Sequence, residues 1–335
     1  MIIGKLILFL GSLLLALVVL VIVGVFVIAR QRLQEIEVTP GPVSTQPGTY
    51  RVQLEHGGRD REYLVHVPPG AGGASLPLFV ALHGGGGTAE RTDDLARLTP
   101  IADRDGFLVA FPQGIDKNWN DGRTGTRSKA QKENVDDVGF IRAVIDDIAA
   151  NLPLDRRRVY AAGISNGALM SSRLACEAAD VIAAVGLVVA TAPAGFEAWC
   201  RPGRGVPVIA FLGTKDPLVP FEGGEIEAFV PFIKRGRVVS AEALIGFWVR
   251  QNGCDPAPTV TELPDVSTGD HSRVVLSEYG GCEEGAGVAF YRVEGGGHTW
   301  PGGKQYLTRW LVGYTNRDIS ASELMWRFFE AHALP

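Results

Sequence analysis

With 335 residues, 46% of them hydrophobic, the chain has enough apolar side chains to bury a large core, which excludes an intrinsically disordered polypeptide. A formal net charge of −5 leaves no basic field to gather phosphates, and the one basic run, Arg156-Arg157-Arg158, is too short to make the chain a nucleic-acid binder. The 42 glycines suit a protein of tight strand-to-helix turns and close backbone approaches.

The chain opens with a physically separate object. Residues 6–29 carry no charge, and about 24 residues of helix extend roughly 36 Å, enough to cross a hydrocarbon core of about 30 Å. A cleaved signal peptide has a shorter apolar region, about 7–15 residues, closed by small residues. This run ends instead at Val27-Ile28-Ala29-Arg30. Residues 1–30 are therefore expected to be an uncleaved membrane anchor; the alternative is a signal peptide cut farther along, which would leave the protein secreted. Charge does not orient it, because Lys5 flanks one side and Arg30 and Arg32 the other. Residues 31–48 are polar and hold three prolines, the composition of a flexible linker, so the folded domain is expected over 49–335.

Alternation in Tyr50-Arg-Val-Gln-Leu and Arg61-Glu-Tyr-Leu-Val-His-Val, split by Gly57-Gly58-Arg59-Asp60, predicts an opening β-hairpin. Continuous apolar runs at 78–82, 107–111, 159–162, 181–190 and 208–212 then predict strands buried on both faces of a mostly parallel sheet. Val138, Ile141, Ile145 and Ile148 recur at helical spacing with Arg142, Asp146 and Asp147 between them, which predicts a helix packed on that sheet. Ser320-Ala-Ser-Glu323 reads as a capping box ahead of a final helix carrying Met325, Phe328 and Phe329. The alternation of strand and helix, without an internal repeat, predicts one α/β domain with helices on both faces of its sheet.

Chemistry enters at Gly163-Ile-Ser165-Asn-Gly167, a G-x-S-x-G pattern between a strand-like and a helix-like stretch. A sharp turn there needs small flanking residues so that the serine hydroxyl projects at the carboxyl edge of the sheet. The partners must follow in the order acid, then histidine. Asp216 lies just past the apolar run 208–212, whereas Asp255, Asp265 and Asp270 have no buried strand before them. Of the six histidines, His271, His298 and His332 come after Asp216. His271 sits in a polar turn and His332 in the last turn of the final helix; His298 follows a strand-like run in a glycine-rich loop, so it is the expected base. Leu82-His83-Gly84-Gly85-Gly86-Gly87 follows the first buried run and predicts a loop of backbone N–H donors for an oxyanion, joined by the N–H of Asn166. A dinucleotide fingerprint at Gly84-x-Gly86-x-x-Ala89 lacks the acidic residue it needs after the next strand, and no Gly-Lys-Ser/Thr supports a phosphate loop.

Cys176, Cys200, Cys254 and Cys282 form an even set without CxxC spacing, which in an exported chain reads as two disulfides and otherwise as four buried thiols. Two disulfides would put the folded domain outside the cytoplasm, periplasmic or extracellular. No metal and no cofactor is expected.

The segments LHGGGG, GISNGALM, GTKDPLVP and GGGHTWPGG, with FWVRQNGC and YGGC between the last two, resemble the polyhydroxybutyrate depolymerase and feruloyl esterase-like family of serine carboxylesterases over roughly residues 50–335. The resemblance implies an α/β-hydrolase fold and hydrolysis of carboxylic esters through an acyl-enzyme. It implies Ser165 as nucleophile, Asp216 as acid, His298 as base and Gly85 and Asn166 as oxyanion donors. It further implies Trp119 and Trp300 as walls of the acyl pocket, and the pairing Cys254 with Cys282, which leaves Cys176 with Cys200. Enzymes of this kind that erode solid polyester add a Ser/Thr-rich linker and a polymer-binding domain. The expected substrates here are therefore small or oligomeric esters: hydroxyalkanoate oligomers, feruloyl or acetyl esters. Acyl transfer to another alcohol would use the same acyl-enzyme, and a surface-tethered binding module without chemistry would keep the fold but lose part of the triad.

Overall fold

The computed structural model describes residues 33–227 and 235–335. β1 (Gly48–His56) and β2 (Arg59–Val67) pair antiparallel through a two-residue turn. Gly57 and Gly58 take φ of 58° and 69° there, the left-handed backbone that such a hairpin demands. The sheet continues through β3 (Leu76–Leu82), β4 (Leu108–Pro112), β5 (Leu154–Ile164), β6 (Ala184–Val188) and β7 (Val208–Gly213). A separate ribbon, β8 (Gly224–Glu225) with β9 (Arg237–Val238), precedes the last three strands, β10 (Thr259–Glu262), β11 (Arg273–Tyr279) and β12 (Val288–Glu294). Across the ten-stranded sheet the order is β1-β2-β4-β3-β5-β6-β7-β12-β11-β10. Strands β4, β3, β5, β6, β7 and β12 run parallel, and antiparallel neighbours close both margins.

Side chains that alternate along the central strands feed two separate cores. Leu78, Val80 and Leu82 of β3 join one; Phe79 and Ala81 join the other. Helices α1 (Ala89–Ala96), α2 (Thr99–Asp105), the single turn α3 (Lys129–Lys132), α4 (Asp137–Asn151) and α5 (Asn166–Glu177) are followed by α6 (Ala241–Gln251), α7 (Arg309–Val312) and α8 (Ala321–Glu330). The apolar stripes of α4, α5 and α6 cover one face with Val144, Leu169 and Trp248, while α1, α2 and α8 cover the other with Leu95, Ile101 and Phe329. Both faces being covered explains why the strands read as unbroken apolar runs.

Three sequence expectations change. The run 181–190 holds a shorter strand: Val181 turns back on the Ala178 carbonyl and Val189 leaves the ladder at φ 50°. Hydrophobicity there reports burial at both strand ends, not pairing. At the final helix Ser320 accepts from the Glu323 N–H (3.4 Å), but the Glu323 carboxylate pairs with Arg104 instead of returning to Ser320, so the box is half made. The stretch expected to be a free linker is docked from Gln34 onward. Gln34 N–H donates to Asp94 (2.6 Å), Ile36 N–H to the Glu90 carbonyl (2.8 Å) and Thr39 N–H to the Thr49 carbonyl (2.6 Å), while Leu33, Ile36 and Val38 rest on the α1 face. A few apolar residues and backbone bonds outweigh its polar composition. The expected anchor over residues 1–30 lies outside the described residues, and no described helix is long and apolar enough to cross a membrane.

Disulfides join Cys176 to Cys200 and Cys254 to Cys282. The first ties the end of α5 to the loop after β6; the second ties the end of α6 to the β11–β12 turn. Thiol titration of the denatured, unreduced protein is expected to find no free thiols, and the Cys176→Ser/Cys200→Ser pair should lower unfolding free energy by about 3.5 kcal/mol, the loop-closure value for this span. Four titratable thiols in protein from its native host would reverse the assignment.

Candidate active site

Ser165 stands where β5 turns into α5, with φ 57° and ψ −119°, a conformation that costs a residue with a side chain about 1–3 kcal/mol. Its N–H donates to the Val188 carbonyl on β6 (2.9 Å), and its own carbonyl accepts from Leu169 (3.0 Å), so the turn is held from both sides. A Cβ at Gly163 would lie 2.5 Å from the Gly167 carbonyl carbon, and one at Gly167 would lie 2.3 Å from the Leu82 carbonyl oxygen. Both flanking glycines are therefore steric requirements of the turn.

Asp216 follows β7 in an aspartate turn. One carboxylate oxygen accepts from the N–H groups of Leu218 (2.8 Å) and Val219 (2.9 Å), and the other lies 2.7 Å from Nδ1 of His298. The two side chains are 2% and 4% exposed. A carboxylate only accepts, so Nδ1 carries the hydrogen and Nε2 is left as the basic nitrogen of the neutral ring. His298 comes to this position because glycines let its loop lie flat on the end of β7. A Cβ at Gly213 would meet the Gly296 oxygen at 2.4 Å, and one at Gly297 would meet the Val312 oxygen at 2.1 Å. The His298 N–H donates to that Val312 oxygen (2.6 Å), and the Tyr306 hydroxyl donates to the His298 carbonyl (3.1 Å). Burial, and then the Asp216 charge, push the Tyr306 phenol far above its usual range, so it stays a donor.

Ser165 ends β5 and shares the carboxyl edge with Asp216, two strands away after β7, and with the His298 loop after β12. Its hydroxyl makes no hydrogen bond to His298 among the described residues; the pair that is closed is His298 with Asp216.

β3 and β5 are adjacent, and the chain leaves them in opposite directions across the sheet, which opens a crevice at their carboxyl ends. The loop after β3 enters that crevice: a Cβ at Gly84 would touch the Ser165 Cβ at 3.5 Å, and one at Gly85 the Asn166 Cβ at 3.7 Å. The loop is tied by Gly86 N–H to the Lys117 carbonyl (2.8 Å) and Gly87 N–H to the Gly84 carbonyl (2.9 Å). His83 anchors its base. Its Nδ1 donates to the Gly84 carbonyl (2.9 Å) and its Nε2 accepts from Gly114 N–H (3.0 Å).

The two tryptophans expected to line the acyl pocket are both buried side chains. Trp119 is fully buried, packed at a tilt against the His83 ring with its indole N–H on the His83 carbonyl (2.9 Å), behind the 83–87 loop. Trp300 is buried under α8, its indole N–H on the Ser322 hydroxyl (3.0 Å). Each is large and needs a partner for its N–H, and packing met both needs. A recess beside Asp216 is lined by Val189, Thr191, Leu212, Val219 and Phe221. Periodicity could not single these out, since they lie in or next to apolar runs; the signal is the positive φ of the β-branched Val189.

The Esterase PHB depolymerase family profile matches residues 61–197. The esterase NocK of Nocardia uniformis subsp. tsuyamanensis is 32% identical over 289 residues, 84% of this chain and 82% of its own. Feruloyl esterase B of Piromyces equi is 30% identical over 260 residues, 73% of this chain but 44% of its own. Among solved structures, the acetyl xylan esterase of Aspergillus awamori superposes with a TM-score of 0.56 over 84% of this chain and 99% of its own at 13% identity, a likeness of fold. The chain belongs to the esterase PHB depolymerase family and is a carboxylic ester hydrolase with the α/β-hydrolase fold.

Proposed function

We propose that this serine carboxylesterase acts through an acyl-enzyme on Ser165, with His298 as base, Asp216 as its orienting acid and the N–H groups of Gly85 and Asn166 as oxyanion donors. The observation that carries this reading is the buried His298–Asp216 pair at 2.7 Å on the sheet edge that also presents Ser165 on its strained turn. His298 takes the serine proton as the hydroxyl attacks the ester carbonyl, and returns it to the leaving alcohol. Water, activated by the same imidazole, then releases the acid. Asp216 holds the imidazole in the tautomer that this requires and stabilises the transient imidazolium.

The substrates are small or oligomeric esters of the feruloyl or acetyl type, a reading supported by the relatives' names. The disulfides support a working place outside the cytoplasm, and the uncharged run 6–29 supports a membrane tether for the domain. A panel of p-nitrophenyl acetate, methyl ferulate, acetylated xylan and hydroxybutyrate oligomers tests the substrate class; turnover of the hydroxybutyrate oligomers alone would contradict the feruloyl/acetyl reading. Added alcohols should not divert the acyl group, and transesters as the main product would make the protein a transferase.

Ser165→Ala is expected to fold normally and to lose about 10⁴-fold in kcat, since only positioning and the oxyanion hole remain. His298→Ala should fall comparably. A Ser165→Ala protein that still turned over p-nitrophenyl acetate at a similar rate would refute the acyl-enzyme.

His83 adds a dependence on pH. Burial pushes its imidazole down to about 4, below the usual 6.5, against a smaller raising effect of the Gly84 carbonyl. The folded protein thus binds fewer protons than the unfolded chain between those values, and stability is lost as pH falls from 6.5 towards 4. Protonation would also put a second hydrogen on Nε2, where Gly114 N–H already donates. Urea titrations of wild type and His83→Gln should differ in this window by a wild-type loss of order 3 kcal/mol. Parallel pH profiles for the two proteins would exclude a buried neutral His83.

A further inference from the structure

Asp121 is fully buried, yet it takes no part in the chemistry proposed above. Its carboxylate accepts from the Arg123 guanidinium (2.7 Å), from Gln131 Nε2 (2.7 Å) and from Asn166 Nδ2 (2.5 Å). A buried ion pair adds little to stability compared with apolar side chains of the same volume, so its retention beside a reactive turn suggests a gain in conformational specificity. We propose that Asp121 and the Asn166 carboxamide are positioning residues that aim the Asn166 N–H at the oxyanion; this rests on the acyl-enzyme reading of the site.

Asn166 is the first residue of α5, directly after the strained Ser165. A helix N–H at that position has no acceptor within its own helix, and inside α5 a single bond, Leu169 N–H to the Ser165 carbonyl (3.0 Å), holds the peptide plane that carries it. The side chain supplies a second constraint. Its Oδ1 accepts from the Trp119 N–H (2.8 Å) and its Nδ2 donates to the Trp119 carbonyl (3.2 Å), a two-point clamp of the kind that one strand makes on another. Asp121 takes the other Nδ2 hydrogen. Being an acceptor only, a carboxylate dictates which end of the carboxamide is nitrogen, whereas an amide at 121 would tolerate either orientation. Trp119 also donates its indole N–H to the carbonyl of His83, at the base of the loop that carries Gly85. One buried strut therefore touches both donor segments, and the distance between the two donors is set through it.

Asn166→Ala and Asp121→Asn test the proposal, because each leaves the backbone N–H of residue 166 in place. Rates are to be normalised by fluorophosphonate titration of active enzyme, with p-nitrophenyl acetate as substrate and a trifluoromethyl ketone as tetrahedral mimic. Asn166→Ala is expected to lower kcat by about 10²-fold, the scale of a misaimed or missing oxyanion donor, while KM stays within about twofold. The ketone's inhibition constant should rise by the same factor by which kcat/KM falls. Asp121→Asn should lower kcat about 10-fold, and the double variant should be no slower than Asn166→Ala alone, because Asp121 acts through that side chain. A folded Asn166→Ala with full kcat, or a double variant whose loss is the product of the single losses, would overturn the positioning role. If Asp121→Asn does not fold, Asn166→Ala decides through kcat and ketone affinity. An active Ser165→Ala removes the acyl-enzyme beneath the proposal; an inert Ser165→Ala beside a fully active Asn166→Ala removes the positioning role alone.

Discussion

The reactive edge depends on α5 leaving β5 directly beneath the end of β3, with no room for a Cβ at Gly163 or Gly167. That close passage forces Ser165 into its positive-φ turn, sets Asn166 directly after it and lets the loop after β3 settle against both. The same device recurs on the other side of the edge. Gly213 faces Gly296, and Gly297 faces Gly313, so that the His298 loop can rest on the end of β7 within reach of Asp216. Much of the glycine-rich character of the site segments reduces to these backbone-on-backbone contacts. They place side chains that sit in different strands at one edge without help from long loops.

What the sequence disclosed, and what it hid, follow from the same physics. Apolar runs revealed the central strands because both sheet faces are covered, and Ser165, Asp216 and His298 could be singled out as candidates because each follows a strand of the parallel set. Run length failed at 181–190, since burial outlasts pairing at the strand end where Val189 turns away. The surroundings of the tryptophans were hidden for a related reason: an aromatic residue near a motif can serve a cavity or a core, and only packing decides. Trp119 lies behind the 83–87 loop and Trp300 under α8. The docked stretch 34–39 was hidden by its polar composition, because its attachment is largely through backbone groups that carry no residue signature. Asp121 was invisible for the opposite reason. An aspartate in a polar loop looks solvated, and its burial depends on Asn166, Arg123 and Gln131 arriving from distant points along the chain.

The two halves of the site are held by different forces. On the acid side, Asp216 and His298 are fixed by backbone bonds and glycine contacts, with an apolar cluster of Leu218, Leu307 and Val312 beside them. On the side of the 83–87 loop, the 118–121 loop is gripped by charges: Asp121 on Asn166 and Arg123, and Asp137 on the Asn120 N–H (2.7 Å) and on Arg61 (2.8 Å). Arg61 and Asp137 are nearly inaccessible, and desolvation pulls the guanidinium down and the carboxyl up against their mutual attraction. Two buried ion pairs around one short loop are a poor way to gain stability. They are a good way to forbid alternatives, because a misplaced loop would strand a charge in the core. The N–H groups proposed as oxyanion donors need that strictness more than the proposed base does. An imidazole on a carboxylate finds its alignment through one strong bond, whereas a backbone N–H takes its direction from what is packed around its peptide.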